Sequence, residues 1–201
     1  MIAQPTVFVI DDDDAVRDAL SLQLQAAGLN VETFASSNGF LAKLDPQAAG
    51  CLVLDVRMPQ MTGPELQAEL SCRHINLPII FLTGYGDIPL AVKAIQSGAV
   101  DFLTKPVNGQ QLIDRVHAAL ALNAEQRQHD ATYQAMYERL QSLTEREREV
   151  LALAIEGHPS KEIAKLCGIS FRTVEHHRSN ILLKTRATNL LELARGFKPR
   201  R

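Results

Sequence analysis

Five short apolar runs punctuate the first 122 residues: Val7-Phe8-Val9-Ile10, Val31-Glu32-Thr33-Phe34, Cys51-Leu52-Val53-Leu54, Ile79-Ile80-Phe81-Leu82 and Val100-Asp101-Phe102-Leu103. Their length and their β-branched and aromatic content predict strands. Between them, apolar residues recur at helical spacing, as in Val16, Leu20, Leu24 and Ala27, which predicts amphipathic helices. Five strand–helix units imply an α/β, doubly wound, five-stranded parallel sheet with helices on both faces. Beyond Gln110 a last stripe (Leu112, Val116, Leu120) fades after Leu122, and residues 123–140 are polar without a Gly or Pro. That composition predicts a helical linker, with residues 108–140 running as one long helix or two nearly continuous ones that hold the flanking domains apart. Thr144 and Glu147 then form a capping-box pattern that opens a helix bearing Val150, Leu151, Ala154 and Ile155. Gly157-His158-Pro159 ends it, Ser160 and Ser170 are expected to cap two further helices around a Gly168-Ile169 turn, and a final helix completes an all-α, four-helix unit. The expected organisation is therefore a domain over 1–122, a linker over 123–140 and a second domain over 141–201.

With 46% hydrophobic and 22% charged residues, the 201-residue chain has the make-up of a globular protein. No apolar run approaches the ~18 residues of a membrane span. The first residues, Met1-Ile2-Ala3-Gln4-Pro5, do not read as a signal peptide, so a cytoplasmic location is expected. Cys51, Cys72 and Cys167 are an odd set without metal spacing; Cys51 and Cys167 read as core thiols and Cys72 as an exposed one. Charge changes the picture more. A net charge of −2 conceals 7 Lys and Arg against 13 Asp and Glu in residues 1–122, and 10 against 3 in residues 160–201. An acidic front and a basic tail imply two domains with different partners, the second anionic.

The chemistry-bearing residues of the front domain fall where a parallel sheet binds ligands, beyond the carboxyl ends of its strands. Asp11, Asp12, Asp13 and Asp14 follow the first strand, Asp55 follows the third, Thr83 ends the fourth and Lys105-Pro106 follows the fifth. Clustered carboxylates repel unless a cation joins them, and hard oxygen donors that leave room for water suit Mg2+. A carboxylate beside such a cation can act as nucleophile toward a phosphoryl group, with a Lys and a hydroxyl neutralising the incoming oxygens.

Residues 6–122 resemble the receiver domain of two-component response regulators, through Ile10-Asp11-Asp12, Leu54-Asp55-Val56-Arg57-Met58-Pro59, Thr83-Gly84-Tyr85-Gly86-Asp87 and Phe102-Leu103-Thr104-Lys105-Pro106. The resemblance implies that Asp55 accepts a phosphoryl group from a sensor histidine kinase. It implies that Asp12, Asp55 and the Arg57 backbone carbonyl hold Mg2+, with Asp11 acting through water, and that Thr83 and Lys105 contact the phosphoryl oxygens. Thr83 and Phe102 then form a switch that alters the helix after the fourth strand, the fifth strand and the helix after it, and the Lys105–Pro106 bond is cis. Asp12-Asp13-Asp14-Ala15-Val16 also matches the Asp-x-Asp-x-Val pattern of haloacid-dehalogenase-type phosphatases, but that nucleophile directly follows its strand, at Asp11 here, and the register then fails at Ala15.

Residues 141–201 resemble the LuxR/FixJ-type helix-turn-helix domain, through Leu143 to Leu151, Ser160-Lys161-Glu162-Ile163-Ala164, Gly168-Ile169-Ser170 and Arg172-Thr173-Val174-Glu175-His176-His177-Arg178-Ser179-Asn180-Ile181. Lys184 to Leu190 and Gly84-Tyr85-Gly86-Asp87 resemble the FixJ branch; within that branch the chain as a whole resembles regulators of aromatic-hydrocarbon catabolism. At about 100° per residue, Val174 and Ile181 face one way, and Arg172, His176 and Ser179 the other, with Glu175 and Asn180 at the edges. Those outward side chains, with Thr173, are expected at base edges in the major groove, and Lys161, Arg178 and Lys184 at phosphates. His176 and His177 are adjacent on one helix and do not share an ion easily. The implied protein is not an enzyme but a phosphorylation-activated transcription regulator. Its partners are a sensor histidine kinase, promoter DNA, RNA polymerase and, once phosphorylated, a second copy of itself. A DNA-binding regulator controlled by a small ligand is the rival, disfavoured because a ligand pocket is mainly apolar.

Overall fold

The structure, a computed structural model, describes residues 4–84, 99–190 and 192–193. Tyr85, Gly86 and Asp87, the expected helix after the fourth strand and most of the expected final helix lie outside the described residues. The strands are β1 (Thr6–Ile10), β2 (Asn30–Phe34), β3 (Gly50–Asp55), β4 (Ile79–Thr83) and β5 (Asp101–Thr104). They form one parallel sheet in the order β2-β1-β3-β4-β5. The chain leaves β1 toward β2, then crosses back to β3, so the crevice between the carboxyl ends of β1 and β3 is the topological switch point.

Strands covered on both faces explain the unbroken apolar runs. In β1, Val7 and Val9 face one layer and Phe8 and Ile10 the other, and all four are buried. The Val7 face packs under α1 (Asp14–Ala26), through Leu20 and Leu24, and under the helix after β5, through Leu112, Val116 and Ala119. The opposite face packs under α2 (Ser37–Lys43) and α3 (Gly63–Cys72), through Phe40, Leu66 and Leu70. Phe8, Phe34 and Phe40 meet there with ring centroids 5.3–6.4 Å apart. β2 lies at the sheet edge and buries only Phe34, which is why its sequence admits Asn30, Glu32 and Thr33. Ala27, expected on the buried stripe of α1, is the exposed C-cap instead: its amide bonds back to Gln23 and Leu24, and Gly28 turns the chain at φ +80°.

The helix after β5 is α4 (Gly109–Gln141), a single helix of 33 residues. The chain divides into two compact units, one up to Arg127 and one from Gln128. Both ends of the stretch expected as linker are in fact anchored. Asn123 is buried, its Oδ1 accepting from the Gly50 amide at 3.0 Å and its Nδ2 donating to the Asn76 carbonyl at 3.3 Å. Arg127 donates to the Gln47 and Ala48 carbonyls. At the other end, Met136 and Leu140 pack into the core of the second unit. The polar side chains that made this stretch read as solvated are the groups that hold its first turns in place.

The second unit contains α5 (Glu145–Ile155), α6 (Ser160–Cys167) and α7 (Phe171–Thr185), with Leu190, Glu192 and Leu193 helical beyond them. Val150, Leu151, Ile163, Val174, Ile181 and Leu193 form its core. The Thr144–Glu147 capping box is present, and Ser170 caps α7 by accepting from the Thr173 amide. Ser160 does not cap α6. Pro159 takes the cap position in extended geometry (φ −69°, ψ 151°), which makes Ser160 the first helical residue, with its hydroxyl one position too late to cap, and no side chain bonds there. Gly168, left-handed at φ +65°, makes the turn into α7.

Candidate functional site

Four of the predicted front-domain residues converge at the carboxyl edge of the sheet. Lys105, just past β5, reaches across to put Nζ 2.7 Å from Asp11 Oδ2 and 2.5 Å from Asp55 Oδ1. Asp11 is fully buried and Asp55 nearly so, while Lys105 is partly exposed. Thr83 is buried at the end of β4, its hydroxyl donating to the Gly84 carbonyl at 3.2 Å. The Lys105–Pro106 bond is cis, and the Lys105 amide donates to the Thr83 carbonyl, tying the two strand ends together. Burial pushes the Asp55 carboxyl above its ordinary value; Lys105 opposes this and the charge of Asp11 adds to it. Burial alone would lower Lys105, but its bonds to Asp11 and Asp55 outweigh that and hold it above its ordinary value, so it stays charged. Two carboxylates share one ammonium, which leaves an excess negative charge at the edge of the sheet.

Local bonding sets the two acidic loops. After β1, the Asp13 amide donates to Asp11 Oδ1 at 3.0 Å, and Asp13 in turn caps α1 by accepting from Ala15 and Val16. Arg17, one turn into α1, donates to the Asp11 carbonyl at 2.7 Å and pairs with Asp14. After β3, the Arg57 amide donates to Asp55 Oδ2 at 2.7 Å, while the Arg57 side chain is exposed. Gly63 closes this loop, donating to the Val56 carbonyl at 3.1 Å. A Cβ at Gly63 would stand 2.5 Å from the Asp55 carbonyl oxygen and 2.8 Å from Phe81 Cε1. Gly63→Ala is therefore expected to destabilise the front unit by about 1–3 kcal/mol and to shift the Asp55 backbone. A lower urea midpoint together with slowed uptake of a phosphoryl label from a small phosphodonor would show both.

The chemistry of the donor set suits Mg2+, which accepts one or two carboxylates and keeps several waters. Asp55, the exposed Asp12 and the Arg57 carbonyl are the residues that would hold it. Among the described residues, no three His, Cys, Asp or Glu side chains gather into a ready cage. The carboxylate of Asp11, like that of Asp55, faces Lys105.

In the second unit, α7 turns Val174 and Ile181 fully into the core and leaves Arg172, Glu175, His176 and Ser179 exposed, with Thr173, Arg178 and Asn180 half-buried. His176 Nε2 and Asn180 Nδ2 are 3.2 Å apart, and the Ser179 hydroxyl donates back to the Glu175 carbonyl at 3.0 Å. Lys161 is exposed on α6.

Family models match both units: "Response regulator receiver domain" over residues 7–117 and "Bacterial regulatory proteins, luxR family" over residues 141–197. The chain is a response regulator of the receiver–LuxR type. It is 42% identical over 189 residues to the response regulator protein TodT of Pseudomonas putida, spanning 94% of this chain and 83% of that protein. To the transcriptional regulatory protein FixJ of Azorhizobium caulinodans it is 44% identical over 189 residues, 94% of this chain and 90% of that one. Among solved structures, that of the response regulator StyR matches at 45% identity with a TM-score of 0.84, over 96% of this chain and 98% of that one. These relatives are transcriptional regulators of two-component systems, and the parallel sheet and helical C-terminal unit are those of that family.

Within this response regulator, one predicted DNA contact has a different partner. Lys184 Nζ lies 2.7 Å from Oε2 of Glu147, a carboxylate that is 3% exposed and that also accepts the Thr144 amide and hydroxyl. An ammonium that neutralises a buried carboxylate across two helices has a structural role in this unit. Spacing on α7 placed Lys184 on a flank and could not reveal α5 packed beside that flank. Asn123 was missed for a similar reason: it is a polar residue on a helix, and its backbone partners at Gly50 and Asn76 come from distant parts of the chain.

Proposed function

We propose that this response regulator takes a phosphoryl group onto Asp55 from a sensor histidine kinase and thereby raises its affinity for promoter DNA. The observation that carries the reading is the Lys105 ammonium bridging Asp11 and Asp55 at the switch point of the sheet. An Asp55 oxygen forms the new O–P bond as the P–N bond of the kinase's phosphohistidine breaks, and the departing imidazole keeps its electron pair and takes up a proton. Lys105 offers a fixed counter-charge to the phosphoryl oxygens, and the Thr83 hydroxyl is one bond rotation from donating to them. Mg2+, when bound by Asp12, Asp55 and the Arg57 carbonyl, supplies further charge neutralisation.

The output side of the proposal rests on a shared face of the sheet. Phe81 pairs with Phe102 and Thr83 with Thr104, so Thr83 and the half-buried Phe102 lie toward the same layer. Drawing Thr83 toward a phosphoryl group frees space for Phe102 to turn inward, which remodels the surface that pairs two receivers. Dimerisation then joins two DNA-binding units, placing α7 of each in the major groove of paired half-sites, with Arg172, Thr173, Glu175, His176, Ser179 and Asn180 toward bases and Lys161 and Arg178 toward phosphates. Recruitment of RNA polymerase, a cytoplasmic location, control of aromatic-hydrocarbon catabolism and the domain division 1–122, 123–140 and 141–201 belong to the same reading. Among the described residues, no helix is long and apolar enough to cross a membrane.

Footprinting on the regulated promoter tests it. With Mg2+ and a small phosphodonor, affinity is expected to rise about tenfold or more, as linking two weak contacts allows. Thr83→Ala is expected to accept the label and lose that gain. A phosphodonor that leaves both oligomeric state and footprint unchanged would remove phosphorylation as the control.

A further inference from the structure

Phe171 is the first residue of α7 and half of its surface is exposed, although it is a large aromatic side chain. Among the described residues it stands outside the apolar cluster that holds Val174, Ile181 and Leu193. Its backbone is nonetheless fixed: Ser170 caps the helix beside it, and the Ser170 and Thr173 hydroxyls lie 2.8 Å apart. Four residues on, Glu175 is also exposed, and the two share one flank of α7 about 40° apart. The flank is bordered on one side by the Arg172–His176–Ser179 stripe.

We infer that Phe171 reads the C5-methyl group of a thymine, beside a cytosine read by Glu175, so that this flank of α7 selects adjacent pyrimidines on one strand. The inference rests on the reading that α7 enters the major groove and adds a specificity-determining residue to it. The first turn of a recognition helix is the part that reaches base edges. On those edges the thymine methyl is the one apolar feature, and an aromatic ring suits it; the cytosine amino group is a donor, and a carboxylate suits that. Both features belong to pyrimidines. The carboxylate of Glu175 repels phosphates and the acceptor edge of guanine, which keeps the first turns of this flank off the DNA backbone and over bases. The basic balance of residues 160–201, 10 Lys and Arg against 3 Asp and Glu, favours DNA rather than a second protein as what covers the ring.

Replacing thymine by deoxyuridine removes the methyl group and nothing else, which gives a direct test. The full chain, activated with Mg2+ and beryllium fluoride, is titrated with its selected site and with copies carrying deoxyuridine at each thymine in turn. For the wild type, one thymine in each half-site is expected to cost about 3–10-fold in affinity when its methyl is removed. Phe171→Ala is expected to bind thymine and deoxyuridine there equally, Phe171→Leu to keep part of the discrimination, and Glu175→Gln to relax the neighbouring cytosine while leaving the thymine penalty in place. Unchanged thermal midpoints would show that the variants are folded, as the exposure of Phe171 leads one to expect. A wild type that binds its site specifically yet tolerates every deoxyuridine, or a Phe171→Ala variant that keeps the wild-type penalty, would overturn the assignment of Phe171 and leave the DNA-reading helix standing. A wild type with no sequence preference at all would overturn both.

Discussion

Asp55→Asn is expected to yield a folded receiver that takes up no stable phosphoryl label. The amide is nearly the size of the carboxyl and can still accept from the Arg57 amide, and Lys105 keeps its 2.7 Å partner Asp11. What is lost is the nucleophilic oxygen and one of the two negative charges that face the lysine. Because burial holds the Asp55 carboxyl above its ordinary value, its charge at neutral pH is a cost to the fold, and removing it is expected to leave the thermal midpoint equal or higher. The contrast with Asp11 is instructive. Both carboxylates accept from Lys105 and from the backbone amide two residues on, but Asp11 is fully buried whereas Asp55 keeps some exposure, and that opening is what admits a phosphoryl donor to Asp55. The measurement is acid-labile, Mg2+-dependent incorporation from a small phosphodonor. Undiminished label in Asp55→Asn would place the acceptor elsewhere.

Lys184→Ala is expected to destabilise the DNA-binding unit by about 2 kcal/mol, a larger effect than loss of one phosphate contact has on folding. Removing one member of a fully buried ion pair costs about 3–5 kcal/mol, and the lower figure here reflects the partly exposed lysine and the two bonds from Thr144 that remain on Glu147. The pair also fixes the sign of a pH dependence. Burial would raise Glu147, but the bonds from Lys184 and Thr144 outweigh it and hold the carboxyl below its ordinary 4.5. An acid depressed in the folded state stabilises the fold above its unfolded value, and that contribution is lost as pH falls below about 4.5 through the folded value. Urea unfolding of the wild type is therefore expected to weaken on that acid limb, and Lys184→Ala to flatten it, because its Glu147 no longer gains from being charged. A variant with wild-type stability at pH 7 and weakened DNA binding of shallower salt dependence would return Lys184 to the DNA.

The acidic pocket was legible because its residues are each pinned to a strand end. Asp11, Asp55, Thr83 and Lys105 are far apart in sequence, but each falls at the end of a short apolar run, and a parallel sheet brings such ends to one edge whatever the intervening helices contain. The exposed face of α7 was legible for a similar reason, since helical period alone separates Val174 and Ile181 from Arg172, His176 and Ser179. Ser160 misled because a serine before an apolar stretch and a proline before it are both helix starts, and only backbone geometry shows which residue holds the cap.

Amphipathic period and the placement of polar residues at run ends thus determined the fold class, the two units, the pocket and the outward face of the DNA-binding helix. Only the tertiary structure decided which polar side chains are structural. Lys184 meets Glu147 across 37 positions, Arg127 meets Gln47 across 80, and Asn123 meets Gly50 across 73. Sequence periodicity reports which way a side chain leaves its own element, because that is set by local backbone geometry. What the side chain meets is set by how elements pack, and for a charged or amide group the partner, not the direction, decides whether it faces water, holds a helix in place or waits for DNA.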